Sequence, residues 1–123
     1  MDFAEVKEAK EKPLKIAITS KIECTDDLRE YVQRRLAFAL SRFADRVQSV
    51  DVLLDDVNGP RGGVDQRCRL IVGLKREAEP VVSDTTHEDM RAAIDLSAGR
   101  AGRTVARTLD RKVKRRNQAP ARS

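Results

Sequence analysis

The chain has 123 residues, with 25 Lys/Arg against 20 Asp/Glu and a formal net charge of +5. That length accommodates one domain with a modest core and not two. No apolar run is long enough to span a membrane, and the N-terminus is too charged for a signal peptide, so a cytoplasmic protein without a membrane partner is expected.

Residues 1–12 alternate acid and base with few apolar anchors, and Pro13 closes the segment, so 1–13 reads as a flexible N-terminal extension. From Leu14 to Ser20 the apolar residues Leu14, Ile16 and Ile18 alternate with Lys15, Ala17 and Thr19, which predicts a short strand. Thr25 is a candidate N-cap, with Asp26, Asp27 and Glu30 where a helix dipole favours anions. Leu28, Tyr31, Val32, Leu36, Ala39, Leu40 and Phe43 follow at helical spacing, a stripe of about five turns. Arg29, Arg34, Arg35 and Arg42 lie off that stripe. Val50, Val52 and Leu54 alternate with Ser49, Asp51 and Asp55 in a second strand. Asp56 to Gly63, rich in Gly and carrying Pro60, is a loop by turn chemistry. A third strand runs from about Val64 to Leu74, with Cys68, Leu70, Val72 and Leu74 on one face. Lys75 to Glu79 turns the chain, and Pro80 to Asp84 forms a weaker fourth strand, which Pro80 places at an edge or at a strand start. Thr85-Thr86-His87-Glu88 reads as a capping box for a last helix that buries Met90, Ala93, Ile94, Ala101, Val105 and Leu109. Gly99 and Gly102 lie inside it, which close packing of the helix on a sheet would explain; the other reading is that the helix bends or breaks there. Residues 117–123 read as a disordered tail.

The order β-α-β-β-β-α predicts an α+β fold: a four-stranded mixed sheet with two helices on one face. The first two strands are a parallel pair joined by a right-handed crossover, and the next two links are hairpins. Clean alternation leaves the other sheet face open to water.

Catalytic chemistry is not visible. His87 is the one histidine and sits at a helix start. Asp55–Asp56 and Glu88–Asp89 are adjacent acids rather than a spaced pair. Gly59, Gly62 and Gly63 lack the residues of a phosphate-cradling motif. Cys24 and Cys68 have no metal spacing and read as reduced and buried. No enzyme activity, cofactor, metal or small-molecule substrate is expected.

Charge is distributed unevenly. From Arg100 to Ser123 there are nine Lys/Arg and one acid, Asp110, while residues 1–99 are net negative. Arg100, Arg103, Arg107, Arg111 and Lys114 follow steps of three and four, within an arc of roughly 80° on a helix. A row of like charges repels itself until a polyanion lies along it. Aromatics are scarce (Phe3, Tyr31, Phe38 and Phe43), which argues against a base-stacking platform of the kind used for single strands and for a grip on backbone and shape.

The segments Thr25 to Val32, Phe43 to Val50 and Glu88 to Asp95 resemble the ribosome hibernation promoting factor family, also known as ribosome-associated inhibitor or sigma-54 modulation protein. The resemblance covers about residues 14–116, and its most specific part is the acidic-Met-x-Ala-Ala-Ile-Asp run that opens the basic helix. It implies a fold similar to double-stranded-RNA-binding domains. It also implies a ribosome-binding domain over 14–116, whose partner is the small ribosomal subunit and its ribosomal RNA. Such proteins occupy the channel of messenger and transfer RNA and silence idle ribosomes in stationary phase or stress. On this chain the resemblance places RNA contacts at Arg100, Arg103, Arg107 and Arg111, and on the first helix at Arg29 and Arg35. The chain departs from the family at Arg91, where an aromatic is usual, and at Phe38, where Lys or Arg is common. It shows no counterpart of the extra domain with which long members pair two ribosomes, and the open sheet face carries Asp51, Asp55, Arg67 and Arg69, which suits water better than a dimer core, so the free protein is expected to be mainly monomeric. The alternative is a general structured-RNA-binding or protein-directed regulatory module without ribosome specificity.

Overall fold

Alternating apolar residues build a four-stranded sheet in the computed structural model of the chain, which describes residues 14–57 and 65–118, the last seven by backbone alone. The elements are β1 (Ile16–Ser20), α1 (Asp26–Leu40), β2 (Val47–Asp56), β3 (Gln66–Leu74), β4 (Val81–His87) and α2 (Met90–Gln118). Strand order is β1-β2-β3-β4. β1 runs parallel to β2, with Ile16 opposite Val50 and Ser20 opposite Leu54. β2 with β3 and β3 with β4 are antiparallel. Fold class, element order and pairing are those the alternation predicts.

One sheet face and two helices share a single core. Val50, Val52 and Leu54 on β2 stand opposite Val72, Leu70 and Cys68 on β3. All six are buried, together with Leu28, Val32, Leu36 and Leu40 from α1 and Ala93, Ile94, Ala98, Ala101 and Val105 from α2. α2 packs on β3 and β4, with α1 beside it. Two serines tie α2 to the sheet. Ser97 Oγ donates to the Cys68 carbonyl at 2.7 Å, and Ser83 Oγ on β4 donates to the Ser97 carbonyl at 3.0 Å. Both serines are buried, so each bond avoids the desolvation cost of an orphaned hydroxyl. Burial pushes the Cys68 thiol up to about 12, which keeps it protonated and inert. Both cysteines are free; Cys68 is buried and Cys24 only half-buried.

Four details differ from the sequence pattern. α1 stops at Leu40, about four turns, and a single 3-10 turn, Ser41–Phe43, carries the rest of the stripe. β4 runs through Thr85 and Thr86 to His87, so these residues form no capping box. Pairing decides it: Cys68 stands opposite Thr85, Arg67 opposite Thr86 and Gln66 opposite His87. β-branched threonines suit a strand as well as a cap, and three ladder positions outweigh one cap. His87 still serves the helix start, since its Nδ1 accepts from the Asp89 amide at 3.0 Å. α2 is unbroken at both glycines, and Gly102 faces α1 rather than the sheet. A Cβ there would lie 3.0 Å from the Ala39 carbonyl oxygen, whereas at Gly99 it would meet nothing closer than 3.5 Å. α2 also includes 117 and 118, two residues the sequence pattern assigns to the tail. The predicted extension over 1–13 and the remainder of the tail lie outside the described residues, as does most of the Gly-rich loop.

Candidate nucleic-acid interface

The two helices present their outer surfaces side by side, and local sequence fixes which residues those are. Thr25 Oγ1 caps α1, accepting from the Leu28 amide at 3.1 Å, and Asp26 and Asp27 occupy its first turn. Leu28, Val32, Leu36 and Leu40, each four residues on, then turn inward. On α2 the small residues Ala93, Ala98, Ala101 and Gly102 let the helix lie close to its neighbours. With those faces committed, Arg100, Arg103, Arg107 and Arg111 are left outward, and all four are exposed.

Among the described residues none of the four is in an ion pair. Arg100 Nη1 reaches the Asp84 carbonyl at 3.4 Å and Arg107 Nη2 reaches Thr104 Oγ1 at 3.4 Å, both long contacts at exposed positions. Among the described residues Arg103 and Arg111 donate no hydrogen bond. Lys114 lies on α2, but its side chain is outside the described residues.

The seam between the helices holds a polar cluster. Arg35 Nε donates to Asp95 Oδ1 at 3.1 Å, and Tyr31 Oη donates to the same oxygen at 2.6 Å. That hydrogen bond, first among its causes, raises the Tyr31 pKa above its ordinary value. The Arg91 guanidinium stacks 4.7 Å from the Tyr31 ring centroid. Asp95, the acid of α2 nearest the start of the basic row, is thus turned toward α1 and engaged there. Arg35 is an internally paired residue, half-buried, and differs in this from the α2 row. It still comes near that row: Arg35 Nη2 and Arg103 Nη1 lie 3.9 and 3.5 Å from the point a Gly99 Cβ would occupy. Arg29 does not join them. It is exposed, but six residues from Arg35 it points about 120° away around α1.

The sequence places Arg34 off the apolar stripe and marks Phe38 as a departure from the family, but assigns a contact to neither. With Tyr31 and Arg35 they line a groove of about 350 Å³ on the outer side of α1. Their i, i+3, i+4, i+7 spacing was the available signal. Phe38 is 83% exposed, and Leu96 on α2 is 48% exposed.

The opposite sheet face uses arginine differently. Arg67 grips Asp84 with two bonds, Nε to Oδ1 at 2.9 Å and Nη2 to Oδ2 at 2.7 Å, and Arg69 lies 3.4 Å from the same carboxylate. The Arg67 hydrogen bond holds the Asp84 carboxyl below its ordinary value, against partial burial that pushes the other way. Among the described residues no group of three or more His, Cys, Asp or Glu could hold a metal ion. No helix there is long and apolar enough to cross a membrane.

Comparison with known proteins agrees with this architecture. A ribosome hibernation promoting factor of Azotobacter vinelandii is 31% identical over 102 residues, covering 81% of this chain and 87% of that protein. A ribosomal subunit interface protein from Coxiella burnetii shares the fold with a TM-score of 0.67 at 13% identity, covering 79% of this chain and 99% of that one. The Protein Y N-terminal domain of Thermus thermophilus superposes with a TM-score of 0.62 at 26% identity, with the same coverage. Residues 16–114 match the family described as Sigma 54 modulation protein / S30EA ribosomal protein, and the chain belongs to that family.

Proposed function

We propose that the protein binds the small ribosomal subunit and inhibits translation on idle ribosomes, acting as a hibernation factor rather than an enzyme. The outer surface of the two helices is set against ribosomal RNA, within the channel used by messenger and transfer RNA. Arg100, Arg103, Arg107 and Arg111 contact phosphates, with Lys114 extending the row and Arg35 flanking it. Arg29 makes a separate contact from the other side of α1. The observation that carries the reading is the row itself: four exposed arginines, none in an ion pair among the described residues. Such a row costs self-repulsion in the free protein, and a polyanion along it releases counterions. Family membership and the names of its relatives supply the ribosome as the source of that polyanion.

Co-sedimentation with purified small subunits tests this. Binding should saturate near one molecule per subunit, fall steeply with salt, and be displaced by messenger RNA with bound transfer RNA. Translation should stop without turnover and resume on dilution. Equal affinity for an unrelated RNA duplex would replace the ribosome-specific reading with a general RNA-binding one.

A further inference from the structure

We propose that Phe38 is a base-stacking contact: one unstacked RNA base lies on its ring, in the groove formed with Tyr31, Arg34 and Arg35. This rests on the small-subunit reading and names a contact within it. A single exposed apolar residue is ordinary on a protein surface, but the setting of this one is not. At 83% exposure Phe38 has nearly its whole ring in water. Arg34 and Arg35, four and three residues before it, lie beside it on the helix, and the Arg35 guanidinium is 5.6 Å from its centroid. Asp95 holds that guanidinium from below, so it is positioned before any ligand arrives. The four groove residues include two cations and no acid.

Charge selects the occupant. An apolar segment of a protein partner docking here would strip water from Arg34 and return no counter-charge. A nucleotide supplies both halves: a flat π-face for the ring and a phosphate for Arg34. Few aromatics exclude a long stacking platform, yet one ring is all that a single splayed base needs. The groove also sits beside the seam where Arg35 and Arg103 approach one another over Gly99, so a strand held by the α2 row is within reach.

The chain contains no Trp, so Phe38→Trp installs a single fluorescent reporter. Its emission should be quenched when small subunits are added. Phe38→Ala and Phe38→Leu should each bind small subunits about ten-fold more weakly, with an unchanged salt slope, because stacking displaces no counterions. Their melting temperatures should match the natural protein. Full affinity in Phe38→Leu would show an apolar contact with a ribosomal protein and overturn the proposal, as would full affinity in Phe38→Ala. If the natural protein fails to bind small subunits, the ribosome reading falls instead. Stacking is then judged with Phe38→Trp on single-stranded polyuridylate at low salt: quenching supports it and unchanged emission overturns it.

Discussion

Arginine does opposite things on the two faces of this molecule. On the open sheet face, Arg67 and Arg69 share the Asp84 carboxylate, and each charge is answered within the fold. On the helical face, Arg100, Arg103, Arg107 and Arg111 are exposed, with no carboxylate among the described residues in an ion pair with them. Residue type cannot separate the two sets, since both are arginines on otherwise regular elements. What separates them is the partner across the strand or along the helix. The sheet face spends its charge on its own geometry, and the helical face keeps its charge available. Arg35 stands between these extremes, paired with Asp95 yet adjacent to the exposed row.

The comparison is broken most forcefully by removing charge from the helical face. Arg103→Ala with Arg107→Ala should cut small-subunit affinity by about ten- to a hundred-fold near physiological salt and lower the salt slope by about two contacts. The melting temperature should not fall, because both side chains are exposed. Co-sedimentation across a salt series reads both quantities, and an unaltered slope would remove the row from the interface.

Arg67→Ala should do the reverse. It leaves Asp84 with Arg69 alone, so the melting temperature should drop by a few degrees while small-subunit binding stays as it was. The acid dependence follows from the lowered Asp84 pKa. A carboxylate whose folded pKa is depressed contributes stability above its unfolded value, and that contribution is lost as pH falls through the folded value. The gap between natural and Arg67→Ala proteins should therefore be full above about pH 4 and close as the solution becomes more acidic. A gap that persists at pH 2 would mean that Arg67 acts through packing instead.

Asp95→Asn gives the smallest and most diagnostic change. It removes the negative charge that pairs with Arg35 and keeps an acceptor for Tyr31. Affinity should rise by about two- to three-fold at low salt. Weaker binding would show that holding Arg35 in place matters more than freeing it.

Most of the fold was legible because its signals are local. Val50-Val52-Leu54 and Cys68-Leu70-Val72 alternate cleanly, and Thr25 is followed by acids and a four-residue Leu/Val rhythm. The exposed row at Arg100 to Arg111 was legible for the same reason, as a helical period written in charge. Errors fell where the deciding contact is distant in sequence. Thr85 and Thr86 could have capped a helix, and pairing with β3 claimed them for a strand. Gly102 was assigned to the sheet, but its neighbour is Ala39 on α1. The Arg35–Asp95 pair spans 60 residues, and no spacing rule announces it. Phe38 was read as one of too few aromatics, and only its exposure beside Arg34 and Arg35 gives it a role.

The two buried serines bear on aim. Ser97 and Ser83 lock α2 to β3 and β4 at one rotational setting. A roll of about 20° around the helix axis would sweep the outer side-chain atoms by about 2 Å, more than a phosphate contact tolerates. The direction in which the arginines point is therefore set on the far side of the helix, by its buried small and apolar residues together with two hydroxyls that never meet solvent. Sequence drift among the exposed positions can retune how tightly this surface holds a polyanion, while drift at Ser83 or Ser97 would turn the whole row off target at once.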